Sequence, residues 1–182
     1  MSLNRTEALE KLLKSYANWY DLERSDKASA PLVATGQFHE QGAGYALVKN
    51  AKMWQADRNE YVYFYSVPSL TLDIFDQCIV DARAQGEPLI KPDGAHMCSY
   101  VVAVILCDTA DEASIKALKK YRRRKNFNFS LNGWMEVHTV CAELGKSTVA
   151  SNADGIKSAQ FIKSSLFEAQ RKAGLLHNLF RK

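Results

Sequence analysis

No apolar run in the sequence exceeds eight residues, the longest being Tyr100 to Cys107. A membrane-spanning helix needs ~20, so none is expected. Cysteine is sparse. Cys78, Cys98, Cys107 and Cys141 lie far apart and form no CxxC pair, which excludes a zinc ribbon and a thioredoxin-type redox pair. HExxH, Walker and GxGxxG patterns are absent, and Gly42-Ala43-Gly44 is too short to cradle a phosphate. No metal site and no cofactor is therefore expected. Internal repeats, low-complexity stretches and linkers are also missing. The opening Met1-Ser2-Leu3-Asn4-Arg5-Thr6-Glu7 is polar, unlike a secretory leader. Reduced thiols in a cytoplasmic protein are the expectation.

What is present describes an ordinary globular chain. It has 182 residues, 47% hydrophobic and 24% charged. That length fits one domain over residues 1–182, able to bury roughly 70% of its unfolded surface. Lysine and arginine number 24 against 20 acidic residues, and the excess is local. Lys119, Lys120, Arg122, Arg123, Arg124 and Lys125 place six cations in seven positions; without them the chain carries 18 basic against 20 acidic residues. The sequence thus has one basic knot rather than a basic coat.

The periodicity predicts a mixed α/β fold. Leu9, Leu12, Leu13, Tyr16 and Tyr20 make a helical stripe, opened by an Asn4/Glu7 capping box and ending near Asp21. Ser25 to Ala30 reads as a polar connection. Three strands follow as an antiparallel meander: Leu32 to Glu40, Tyr45 to Ala51 and Asn59 to Val67. Gly42-Ala43-Gly44 and Asp57-Arg58-Asn59 are the expected turns between them. A helix carries Leu72, Phe75, Cys78, Ile79 and Ala82 inward and ends at Gly86. Val101 to Leu106 has no polar side, as a central strand covered on both faces requires. Thr109 with Glu112 has capping-box form, and the following helix points Ile115, Leu118 and Tyr121 to the core. Phe127, Phe129 and Leu131 alternate as a strand, Asn132-Gly133 signals a hairpin, and Trp134 to Leu144 returns. Gly145-Lys146 turns the chain toward Thr148 to Ala150, and a last helix runs to Lys172, closed by Gly174. The order is α-β-β-β-α-β-α-β-β-α, a single-domain mixed sheet flanked by helices.

The opening α-β-β-β-α-β order, over roughly Asn4 to Cys107, resembles the core of the restriction-endonuclease-like, or PD-(D/E)XK, superfamily. The resemblance implies an Asp near the second strand and a Glu-x-Lys on the third, holding Mg²⁺ and positioning a water. Asp57 and Glu60 are the matching carboxylates. Glu60-Tyr61-Val62 puts Val62 at the lysine position, and Tyr45 to Ala51 has no carboxylate, leaving Lys49 and Lys52 as neighbouring lysines.

Three further features bear on function. The basic knot with Tyr121, Phe127 and Phe129 suits phosphates and exposed bases, or an acidic protein surface; cations at a helix end also complement its dipole. His96 and Cys98, two apart on a regular strand, would face the same way as an imidazole–thiol pair. Tyr61, Tyr63 and Tyr65 share one face with Tyr45 and Trp54 nearby, and the first helix is expected to cover it. His138 and Cys141 fall on opposite strand faces, which argues against a shared metal, and His39 points away from Glu40. His177 lies in the apolar tail Leu175 to Phe180, which would pack on the core or dock a second copy. The expected function is a non-catalytic binding module using the basic knot, with nucleic acid or an acidic protein as partner and no membrane. The alternatives are a Mg²⁺-dependent nuclease-like enzyme using Asp57 and Glu60, a thiol enzyme using Cys98 and His96, and a homo-oligomerising structural protein.

Overall fold

The computed structural model describes residues 3–45 and 52–168. Helix α1 spans Arg5–Tyr16, and Asn4 caps it as expected: its side chain accepts from Glu7 N at 2.9 Å while Glu7 accepts from Asn4 N at 3.2 Å. Strands β1 (Asp21–Arg24), β2 (Leu32–Tyr45) and β3 (Lys52–Leu70) follow, then α2 (Leu72–Gly86), β4 (His96–Ala110) and α3 (Glu112–Lys120). The chain continues through β5 (Arg124–Asn126), β6 (Trp134–Glu143), β7 (Thr148–Ser151) and α4 (Ile156–Lys163), which loosens into a wider turn over Ser164–Glu168.

The seven strands form one mixed sheet in the order β1-β2-β3-β4-β6-β5, with β7 also on β6. The first three pair antiparallel, whereas β3, β4 and β6 are parallel and linked by crossovers through α2 and α3. This layering follows from the apolar patterns. Val101 to Cys107 on β4 are all fully buried, alternating between two cores. One core joins Tyr63, Val101, Ala103 and Ile105 to Phe75 and Ile79 of α2 and Leu118 of α3. The other joins Val62, Phe64, Val102 and Val104 to Leu12 and Leu13 of α1 and Ile162 of α4. Leu12 and Leu118 are among the largest fully buried side chains, and truncating either to Ala costs about 2–5 kcal/mol at such sites.

Asn152 ties the last strands together. β6 pairs β5 near its start and β7 near its end, leaving a gap. The Asn152 side chain fills it: Nδ2 donates to Val137 O and Tyr121 O, and Oδ1 accepts from Thr139 N and Gly155 N. Every polar atom of this buried amide is satisfied, as a buried amide requires.

The fold class agrees with the sequence, but several local expectations fail. Gly42-Ala43-Gly44 and Asp57-Arg58-Asn59 are not turns. Both lie inside a long ladder running from Leu32↔Tyr65 to Tyr45↔Lys52, where cross-strand pairing overrides local turn propensity. The segment after α1 supplies the strand β1 rather than a connection alone. The tyrosine face is covered by α2, not α1: Tyr65 Oη donates to Asp81 at 2.8 Å, and α1 takes the opposite face through Phe64. Asp111, not Thr109, caps α3 by accepting from Ser114 N, while Thr109 hydrogen-bonds Ser69. Leu72, at the head of the α2 stripe, is exposed. Phe127 to Leu131 form a turn rather than a strand. Asn128, Phe129 and Ser130 are all left-handed, with φ of 46°, 52° and 70°. Residues 46–51 (with Lys49) and the tail beyond residue 168, including His177, Lys172, Gly174 and Leu175 to Phe180, lie outside the described residues. So do the side chains of Tyr45, Lys52 and Trp54. Among the described residues no helix is long and apolar enough to cross a membrane.

Candidate functional site

The face beneath α1 and α4 turns from apolar to polar toward the start of the parallel strands. Beyond the buried Val62–Val102 pair, two rows of side chains cross the sheet in register. Phe38, Glu60, Tyr100, Glu136 and Arg124 make one, and Glu40, Arg58, Cys98, Trp134 and Asn126 the other. Over the β2–β3 part of this stripe a cleft of about 350 Å³ opens between the end of α1 and the start of α4. Tyr16, Tyr20, Phe38 and Phe161 wall it, Trp19, Glu40 and Lys157 rim it, and Arg58 and Glu60 form its polar side.

The chemistry of the stripe centres on Arg58. Its guanidinium sits over the Tyr100 ring at 5.2 Å, and its Nε has no hydrogen-bond partner. Glu60 is 8% exposed. Burial pushes its carboxyl above the usual range, while the Tyr20 hydroxyl and the Arg58 charge pull it back. Burial also raises the Tyr20 and Tyr100 hydroxyls, so both stay protonated. His138 stacks on Tyr100 with ring centroids 4.7 Å apart. Neither of its ring nitrogens has a hydrogen-bond partner. Burial lowers its pKa, opposed by Glu136 and Asp154. The ring is therefore neutral at pH 7. At the far edge Arg124 donates to Glu136 at 2.5 Å and lies over Trp134 at 4.8 Å.

The enzyme-like pairs expected from sequence do not assemble. Arg58 pairs with Cys98 but Asp57 pairs with His96, so Met97 is an extra residue bulged from β4. The bulge reverses strand parity. His96 turns to the α2 side, where Nε2 meets Ser99 Oγ at 2.8 Å and Nδ1 meets Asn132 O at 2.7 Å. A carbonyl only accepts, so Nδ1 carries the proton. Cys98 instead is buried beside Tyr100 on the other face. Asp57 and Glu60 are likewise divided by the sheet. Glu60 lines the aromatic cleft, whereas Asp57 lines a separate pocket of about 240 Å³ with His39, Asn59, Lys91, Asp93 and His96. Val62 is fully buried core. Among the described residues no three His, Cys, Asp or Glu converge as metal ligands. All four cysteines are buried and free.

The basic knot is partly neutralised. Arg123 lies 3.6 Å from Glu87, which also binds Arg83, and Arg124 is paired with Glu136. Arg122 donates to Lys119 O and Tyr121 O at the end of α3, where a cation also meets the negative end of the helix dipole. Lys119, Lys120 and Lys125 are exposed, with Lys125 over the Phe127 ring at 5.4 Å. Further along the same segment the left-handed turn lifts Phe129 into solvent at 98% exposure, with Leu131 also exposed. Sequence reasoning found the cations and Glu60 but missed Arg58, Tyr20 and the display of Phe129. The alternation Arg58-x-Glu60 was the available signal for the first of these, and taking the stretch as a turn concealed it.

Residues 4–164 match the family described as a domain of unknown function, DUF8052, and the chain belongs to it. Comparison with curated proteins and with solved structures returns no match.

Proposed function

We propose that this DUF8052 chain is a non-catalytic binding domain whose basic edge takes single-stranded nucleic acid. The carrying observation is Phe129, an aromatic ring almost wholly in solvent on a left-handed turn, in the same chain segment as the exposed cations Lys119, Lys120, Arg122 and Lys125. At 98% exposure its ring adds almost nothing to the buried core. Cations beside an exposed ring suit a strand whose phosphates they contact while a base stacks on the ring. Arg123 and Arg124, paired with Glu87 and Glu136, hold the edge together rather than contact the partner. Separation of Asp57 from Glu60 by the sheet, and of His96 from Cys98 by the bulge, gives no support to the nuclease or thiol readings.

The test is binding of labelled single-stranded oligonucleotides across a salt series, with and without Mg²⁺. Four cations at about 0.7 each give a log–log salt slope near −3. Neutralising Lys119, Lys120 and Lys125 to Gln should reduce that slope by about 2. Phe129→Ser should weaken binding by about 1–3 kcal/mol at every salt concentration and leave the slope unchanged. Absence of binding at low salt overturns the reading and directs the same edge to an acidic protein. Mg²⁺-dependent cleavage overturns its non-catalytic part.

A further inference from the structure

The aromatic cleft lies on the sheet face, separate from the basic edge, and its chemistry identifies a ligand class. We infer that it binds a small, flat, uncharged heterocycle offering a hydrogen-bond donor and acceptor along one edge, the class of free nucleobases and nucleosides.

Size comes first. About 350 Å³ is at the low end for small-molecule sites, enough for one ring system with a modest substituent and too little for a dinucleotide. Shape comes from the walls. Tyr16 and Tyr20 have ring centroids 4.8 Å apart, Tyr16 and Phe161 5.0 Å, and Tyr20 and Phe38 5.4 Å. These rings make one continuous aromatic lining, and Trp19 stands exposed at the mouth. Such a lining favours a flat π-faced body over a branched aliphatic one.

Polarity comes from β3. Arg58 and Glu60 are two residues apart on one strand face, so a donor-only and an acceptor-rich group stand side by side. Arg58 lines the cleft with a side chain that only donates, which an acceptor on the ligand would satisfy. Glu60 then accepts from a neighbouring N–H. A heterocyclic amide or amidine edge presents that acceptor–donor pair.

Charge excludes the competitors. The charged side chains of the cleft are Arg58 and Lys157 against Glu40 and Glu60, so formal charges cancel. With its charges balanced the cleft offers neither a carboxylate nor an ammonium a net attraction to offset the cost of desolvating it, which favours an uncharged ligand.

Calorimetry on the full chain tests this with adenosine, guanosine, cytidine and uridine, and with benzoate and benzylammonium as charged flat-ring comparators. At least one nucleoside should bind with a dissociation constant below about 1 mM and at least about tenfold tighter than either comparator. Binding should quench tryptophan emission in the parent and lose that quench in Trp19→Phe. Arg58→Met keeps the aliphatic stem and Phe38→Leu keeps apolar volume; each should weaken the nucleoside by about tenfold while thermal unfolding shows the fold intact. The triple Lys119, Lys120, Lys125→Gln variant should bind the nucleoside as the parent does, which separates this site from the basic edge. No nucleoside binding, tighter binding of benzoate or benzylammonium, or binding unchanged in Arg58→Met would each overturn the assignment.

Discussion

Among the described glycines, Gly133 is the one where an added methyl group should do most damage. Its φ is +73°, where an L residue costs about 1–2 kcal/mol. An added Cβ would lie 2.1 Å from the Met97 carbonyl oxygen and 2.8 Å from that of His96. Both are backbone atoms of the β4 bulge, so no side chain can swing aside. Restoring van der Waals distance requires the loop and the bulge to part by about 1 Å or more. That movement stretches the His96 Nδ1–Asn132 O contact of 2.7 Å and the Asn132 Nδ2–Pro92 O contact of 2.8 Å. Each is worth about 1 kcal/mol net, with more lost where a buried group is left unpaired. Gly133→Ala should therefore cost about 3–5 kcal/mol, a large part of a typical domain's stability. Urea unfolding monitored by circular dichroism measures it. The matched control is Gly94→Ala, whose Cβ meets nothing within 4 Å, so it should stay within about 0.5 kcal/mol of the parent. A Gly133→Ala cost below about 1 kcal/mol, or one equal to the control, would refute the close approach between loop and bulge.

Two buried titratable groups should give pH dependences of opposite sign. Glu60 is raised by burial, so the native state keeps a proton that the unfolded chain releases above about pH 4.3. Its contribution is present at low pH and is lost as pH rises through the raised value. Glu60→Gln should remove that decline and be more stable than the parent at pH 7; superimposable stability–pH curves would contradict it. His138 is lowered by burial, so the unfolded chain takes up its proton first, near pH 6.5. Stability should fall as pH drops from there through the lowered native value. His138→Phe should flatten this limb and match or exceed the parent by up to about 1 kcal/mol at pH 7, because neither ring nitrogen makes a hydrogen bond, Nε2 lying 3.8 Å from Glu136 Oε2, while the stack on Tyr100 is kept. Thermal melts between pH 5 and 8 check both, and a His138→Phe variant that keeps the acid limb would place its cause elsewhere.

How far the sequence could be read differs between elements for identifiable reasons. Val101 to Leu106 is apolar at every position, and only a doubly covered strand accommodates that pattern. The Asn4/Glu7 cap is a contact between residues three apart and depends on nothing else in the chain. By contrast, Asp57-Arg58-Asn59 has turn chemistry, and its membership of β3 is decided by partners on β2 and β4 that are distant in sequence. The same holds for Asn128, Phe129 and Ser130, where alternation suggested a strand but the folded chain adopts three left-handed residues.

For the candidate sites the division is sharper. A count of residues sufficed to locate the six cations, since their clustering is a property of the chain itself. Which of them remain unpaired was decided by Glu87 and Glu136, delivered from α2's end and from β6. Strand parity assigns faces only while each residue has one partner across the ladder. One bulged residue, Met97, turned His96 and Cys98 to opposite sides. The aromatic cleft draws α1, β2, β3 and α4 together, so Tyr20, Phe38, Arg58, Glu60 and Phe161 share no local pattern. Elements whose stabilising contacts are local, or whose burial is uniform, can be read directly from the order of residues. Register, the bulge and the packing of helices on the two sheet faces decided the sites, because those contacts exist only once distant segments have paired.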